Sequence, residues 1–154
     1  MKKILFIALC CFSFSAFSQI ELVETTKTEI VSKISYVYLE KAGDNEYNLY
    51  YKNMNALGHE YVHFGFKNLN NDYDKLYEIM MKGFEDKPRD PLQIKANGDV
   101  VWLKYSREEG NLYLQIQQFV SRDPDVMTVS RLLTKEDITN LFKNKKLTIK
   151  IKKA

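Results

Sequence analysis

The chain's two histidines stand four residues apart in the run His59-Glu60-Tyr61-Val62-His63. Two imidazoles can supply nitrogen ligands to a metal ion, and a carboxylate beside them can take a proton from bound water. A second grouping is Trp102 with Gln93, Gln115 and Tyr113. An indole offers an apolar face, and neighbouring amides add directional hydrogen bonds, a combination suited to a sugar ring or an extended peptide. What either group can do is set by the element that carries it.

The first run resembles the H-E-x-x-H pattern of zinc metalloproteases, over five residues and no more. That chemistry needs a helix, where side chains four apart are neighbours and both imidazoles reach one zinc. On a strand, four residues span ~13 Å, while zinc holds each nitrogen at ~2 Å. The local sequence reads as strand: Val62, Phe64 and Phe66 alternate with Tyr61, His63 and Gly65. A third ligand would have to come from Glu78, on a neighbouring helix. No metal site, cofactor or catalytic residue is therefore assigned. Nucleophile signatures such as G-x-S-x-G and S-x-x-K are missing, as is a Walker-type glycine loop.

The Trp102 grouping rests on a three-stranded meander. Asn97-Gly98 is the strongest hairpin signal in the chain. A two-residue turn there pairs Ala96 with Asp99, Ile94 with Val101 and Leu92 with Leu103. The next turn, read as Arg107 to Gly110, pairs Ser106 with Asn111, Leu103 with Leu114 and Val101 with Ile116. Both turns put the same middle-strand residues on one apolar face, and a one-residue slip would expose half of them. The opposite face then carries Trp102 between Gln93 and Gln115, with Val100, Lys95 and Gln117 in the next row and Tyr113 to the other side.

Upstream, Lys27 to Leu39 is rich in β-branched and aromatic residues and reads as one long strand, followed by strands at Glu46 to Lys52 and Glu60 to Lys67. Tyr73, Leu76, Tyr77 and Met80 fall on one helix face, which predicts a helix over 71–82 capped by Asn71 and stopped at Gly83. Downstream, 126–131 reads as an edge strand. Thr134-x-x-Asp137 resembles a capping box flanked by Leu133 and Ile138, opening a helix to about Lys143. Leu147, Ile149 and Ile151 alternate in a final strand. The tail carries Lys143, Lys145, Lys146, Lys150, Lys152 and Lys153 without an acid, as expected of an edge that discourages strand pairing.

Residues 1–18 have the form of a signal peptide: Lys2-Lys3, an apolar stretch from Ile4, and the small-x-small run Ala16-Phe17-Ser18. Cleavage there leaves 136 of the 154 residues, one domain at 19–154. Both cysteines leave with the signal, so a disulfide scaffold is excluded. Losing Lys2 and Lys3 from the 23 basic residues leaves 21 against 20 acids, too balanced for a nucleic-acid binder. No transmembrane segment is expected in the mature chain.

These observations predict a single α+β domain, an antiparallel sheet of about six to eight strands with two helices packed on it. The expected location is periplasmic or extracellular. The expected function is a non-catalytic binding or accessory protein whose Trp102 row meets a glycan, peptide or envelope protein. The alternatives are a zinc metalloprotease through the His59–His63 run and a structural or interaction subunit of the cell envelope.

Overall fold

A tight turn at Ser35-Tyr36 divides what reads in the sequence as one long strand. Tyr36 adopts a left-handed φ of 62°, and Thr28–Ile34 (β1) folds back on Val37–Ala42 (β2). Ser-Tyr carries none of the glycine or asparagine chemistry that marks a hairpin turn, so uniform β-propensity hides the reversal. The guanidinium of Arg131 holds the turn by donating from Nε to Ser35 O at 2.8 Å.

The computed structural model describes residues 26–119 and 126–143. The signal peptide, the final strand at Leu147 to Ile151 and the lysine tail beyond Lys143 lie outside the described residues. Glu46–Lys52 (β3) and Tyr61–Lys67 (β4) complete a first antiparallel sheet in the order β1-β2-β3-β4, and Asp72–Asp86 forms helix α1. Leu92–Ala96 (β5), Asp99–Glu108 (β6), Asn111–Phe119 (β7) and Met127–Val129 (β8) form a second sheet, again in chain order. Helix α2, Lys135–Leu141, follows. Over the described residues the fold is α+β with eight antiparallel strands and two helices. The strands divide into two sheets of four, each a meander followed by a helix. No described helix is long and apolar enough to cross a membrane.

One core joins the two halves. The inner face of the first sheet contributes Leu39, Leu49, Tyr51 and Phe64, and that of the second contributes Leu103, Leu114 and Ile116, all fully buried. Helix α1 adds Tyr73, Leu76, Met80 and Phe84, and α2 adds Ile138 and Leu141. The sheets also meet through polar groups. Tyr51, fully buried on β3, donates its hydroxyl to Gln118 Oε1 at 2.9 Å and lies 2.8 Å from Thr128 Oγ1.

Both ends of α1 depart from the sequence reading. Asn71 precedes the helix in a left-handed conformation with no side-chain cap. Asp72 instead accepts from the backbone N–H of Leu69 and Asn70, and Asn68 Oδ1 accepts from that of Tyr73. Gly83 does not stop the helix, which runs on to Asp86 and ends at left-handed Lys87. A Cβ on Gly83 would sit 2.0 Å from Cζ of Tyr105. The glycine lets the helix settle on that ring, whose hydroxyl donates to Met80 O at 2.7 Å. Close approach, rather than chain reversal, explains this glycine. The capping box on α2 is as read from the sequence, with Thr134 and Asp137 bonded reciprocally. Burial raises the Asp137 pKa, but hydrogen bonds from Thr134 and the Arg131 guanidinium outweigh it and hold the carboxyl below its ordinary value.

Gly83→Ala should lower stability by about 2–3 kcal/mol through overpacking, although alanine is the better helix former. Urea denaturation beside Lys82→Ala, exposed on the same helix, checks this. A second expectation concerns pH. Burial pushes the phenols of Tyr51 and Tyr73 up to about 12, and raises that of Tyr105 as well. Unfolded tyrosine titrates near ~10, so this stability is fully present below that pH and is lost as pH rises towards the folded values. The urea midpoint should hold between pH 8 and 9 and fall steeply above 10.

Candidate functional site

The first hairpin of the second sheet forms in the register read from the sequence. Asn97 and Gly98 take φ of 48° and 93°, and Gln93 lies opposite Trp102. The second hairpin is two residues tighter than expected. Its turn is Glu109-Gly110, with φ of 50° and 87°, closed by Glu108 opposite Asn111. Glutamate in a left-handed position is an uncommon turn residue, which is why the reversal reads as a longer loop.

A shift of two residues preserves every inward and outward assignment but changes the neighbours. Trp102 therefore stands between Gln93 and Gln117, not Gln115. Gln115 lies opposite Lys104, one pair along, and Tyr113 lies opposite Ser106, beyond it. Gln117 Nε2 donates to Gln115 Oε1 at 3.0 Å, and Gln115 Nε2 donates to Ser130 O at 3.1 Å. These amides are thus bonded within the protein, and Gln117 is buried.

What the indole gains instead is Phe119, two residues along β7 from Gln117 on the same face. The rings meet edge to face, 4.9 Å apart and at 86°. Phe119 was not among the expected site residues, although its spacing from Gln117 on β7 is the signal that places it. Phe119 is 39% exposed and lies opposite Met127, next to Val126, which is 51% exposed. The loop after β3 runs along the outer edge of β8. Met54 N donates to Val129 O at 2.8 Å, and Asn55 Nδ2 donates to Met127 O at 2.9 Å. Both Met54 and Leu57 in this loop are exposed. The indole thus keeps Gln93 as an amide neighbour on one side and gains an aromatic partner on the other.

The other outer face carries tyrosines that the sequence reading did not place. Tyr38, Tyr50 and His63 form one cross-strand row. The Tyr38 and Tyr50 rings stack at 4.6 Å, and Tyr50 and His63 at 4.7 Å. Both faces of Tyr50 are covered, so the row presents ring edges to solvent and stiffens the sheet through its cross-strand pairs. Partial burial and the charge of Glu40 raise the pKa of both Tyr38 and Tyr50.

His63 therefore belongs to an aromatic ladder on a strand, as its alternating neighbours suggest. His59 and Glu60 precede β4, and Glu60 Oε2 accepts from Asn53 Nδ2 at 3.3 Å. Among the described residues, no three His, Cys, Asp or Glu side chains gather as a cation site.

No family model matches the chain, and neither a curated protein nor a solved structure matches it.

Trp102 is the chain's single tryptophan, so its emission reports on this surface alone. Phe119→Ala should shift that emission to the red and cost about 1 kcal/mol, the scale of an aromatic pair. An unmoved spectrum would show that Phe119 does not shield the indole.

Proposed function

We propose that this is an exported, non-catalytic binding or accessory protein that meets a partner protein through the outer face of the second sheet. The observation that carries the reading is the Trp102–Phe119 pair, half-open to solvent, with Met127 opposite Phe119 and exposed Val126 next to it in the chain. Aromatic and methionine side chains at the centre of an apolar patch are what protein interfaces use. A sugar platform fits less well, because Gln115 and Gln117 already bond within the protein, which leaves Gln93 as the one amide opposite Trp102 without a side-chain hydrogen bond among the described residues. The zinc-protease alternative has no helix to stand on. Export rests on residues 1–18 of the sequence.

A photo-crosslinking residue at Phe119, in the cell that makes the protein, tests the reading. Expected is a discrete adduct with one envelope protein, absent when the probe sits at Lys41 and absent when Trp102→Ala is added. No adduct, or the same adduct from both positions, would count against it.

A further inference from the structure

Four strand edges end the two sheets, and they are treated differently. That of β8 is covered: Val129 N donates to Asn53 Oδ1, and the outward carbonyls of Val129 and Met127 accept from Met54 and Asn55. That of β1 is interrupted by a bulge between Ile30 and Ser32. Bulges and covering loops are the usual ways to protect an edge. Among the described residues the edges of β4 and β5 have neither, and the two strands come close to one another without pairing.

The register says which groups are left open. In an antiparallel pair, the N–H and C=O of each residue point to the same side, and successive residues alternate. Asn53 N bonds to Glu60 O and Asn68 N to Asn45 O, so the even-numbered residues of β4 face β3. Tyr61, His63, Gly65 and Lys67 therefore present their backbone groups outward, where they bond to no described residue. Beside this edge lies a groove of about 150 Å³ running to β5. Phe64, Phe66, Leu76, Ile79, Ile94 and Ala96 line it, with Lys95, Lys75 and Asp72 at its rim. Asp72 is matched by Lys75 at 3.1 Å, whereas Lys95 has no ion-pair partner among the described residues.

We propose that β4 accepts an extended peptide segment of a partner protein as an added strand. The backbone supplies the pairing, and every second side chain of the guest points inward, into the groove. The guest is apolar at those alternate positions and carries an acidic residue that meets Lys95. The bare edge of β4 is the longer of the two, seven residues against five. This site is separate from the Trp102 face and does not rest on it.

Selection of a random linear octapeptide library on the mature protein, followed by amide hydrogen exchange with the selected peptides, tests the proposal. Enriched peptides should alternate apolar residues, include an acid, and slow exchange at Tyr61, His63, Gly65 and Lys67. Ile79→Glu, on the outer rim of the groove, should weaken them at least about tenfold while leaving the urea midpoint near its original value. An N-methyl group on each pairing amide of the guest should abolish binding. No enrichment, protection at other amides, or unchanged affinity for Ile79→Glu or for the methylated peptide would overturn it. Binding lost here but not at Phe119 would leave the Trp102 reading standing, and the converse holds.

Discussion

The phenolic oxygen of Tyr51 sits where the two sheets meet. Its ring belongs to the inner face of β3, yet its hydroxyl bonds to Gln118 on β7 and touches Thr128 on β8. Removing water from three polar side chains is costly unless each finds a partner. Here each does, and no described buried side-chain polar atom is left unpaired. Two residues further along, Asn53 continues the junction by accepting from Val129 N. A buried polar cluster of this kind tolerates one arrangement of the sheets, because any slide strands a donor or an acceptor.

That constraint distributes the rest of the surface. Holding β3 against β8 brings Asn53, Met54 and Asn55 along the β8 edge and closes it. One strand over from β3, β4 comes close to β5 without pairing with it, and the groove beside them is bounded by α1. Helix α1 is fixed in turn by the Tyr105 hydroxyl at Met80 O, and the missing side chain of Gly83 lets the helix approach. The closed junction and the open groove are thus consequences of the same few contacts.

The parts legible in the sequence are those where one local signal acts with one face of burial. Asn97-Gly98, the capping box at Thr134 and the apolar face from Tyr73 to Met80 are of that kind. The inward set on β6 survives even a two-residue error in the next turn, because parity is what burial enforces. What stayed hidden depends on partners distant in the chain. Ser35-Tyr36 turns because Arg131, about a hundred residues away, holds its carbonyl. Gly83 resembles a helix stop until Tyr105 is seen above it. The division of eight strands into two sheets is fixed by side chains of β3, β7 and β8 whose encounter no local pattern announces. At the candidate surface, Trp102 was legible, whereas its neighbours changed: Gln117 for Gln115, and Phe119 as the ring it meets.

The proposed binding role draws on two surfaces: one apolar patch beside a sealed edge, and one groove beside a bare edge. Both follow from how the sheets are joined. Native-state hydrogen exchange of the free protein measures that directly, since protection follows hydrogen bonding and local stability. The amides of Met54 and Val129 should exchange only through global unfolding, while those of Tyr61, His63, Gly65 and Lys67 exchange at rates near those of open loops. Rapid exchange at Met54 and Val129, or strong protection along the outer edge of β4 in the free protein, would contradict a closed β8 edge and an open β4 edge.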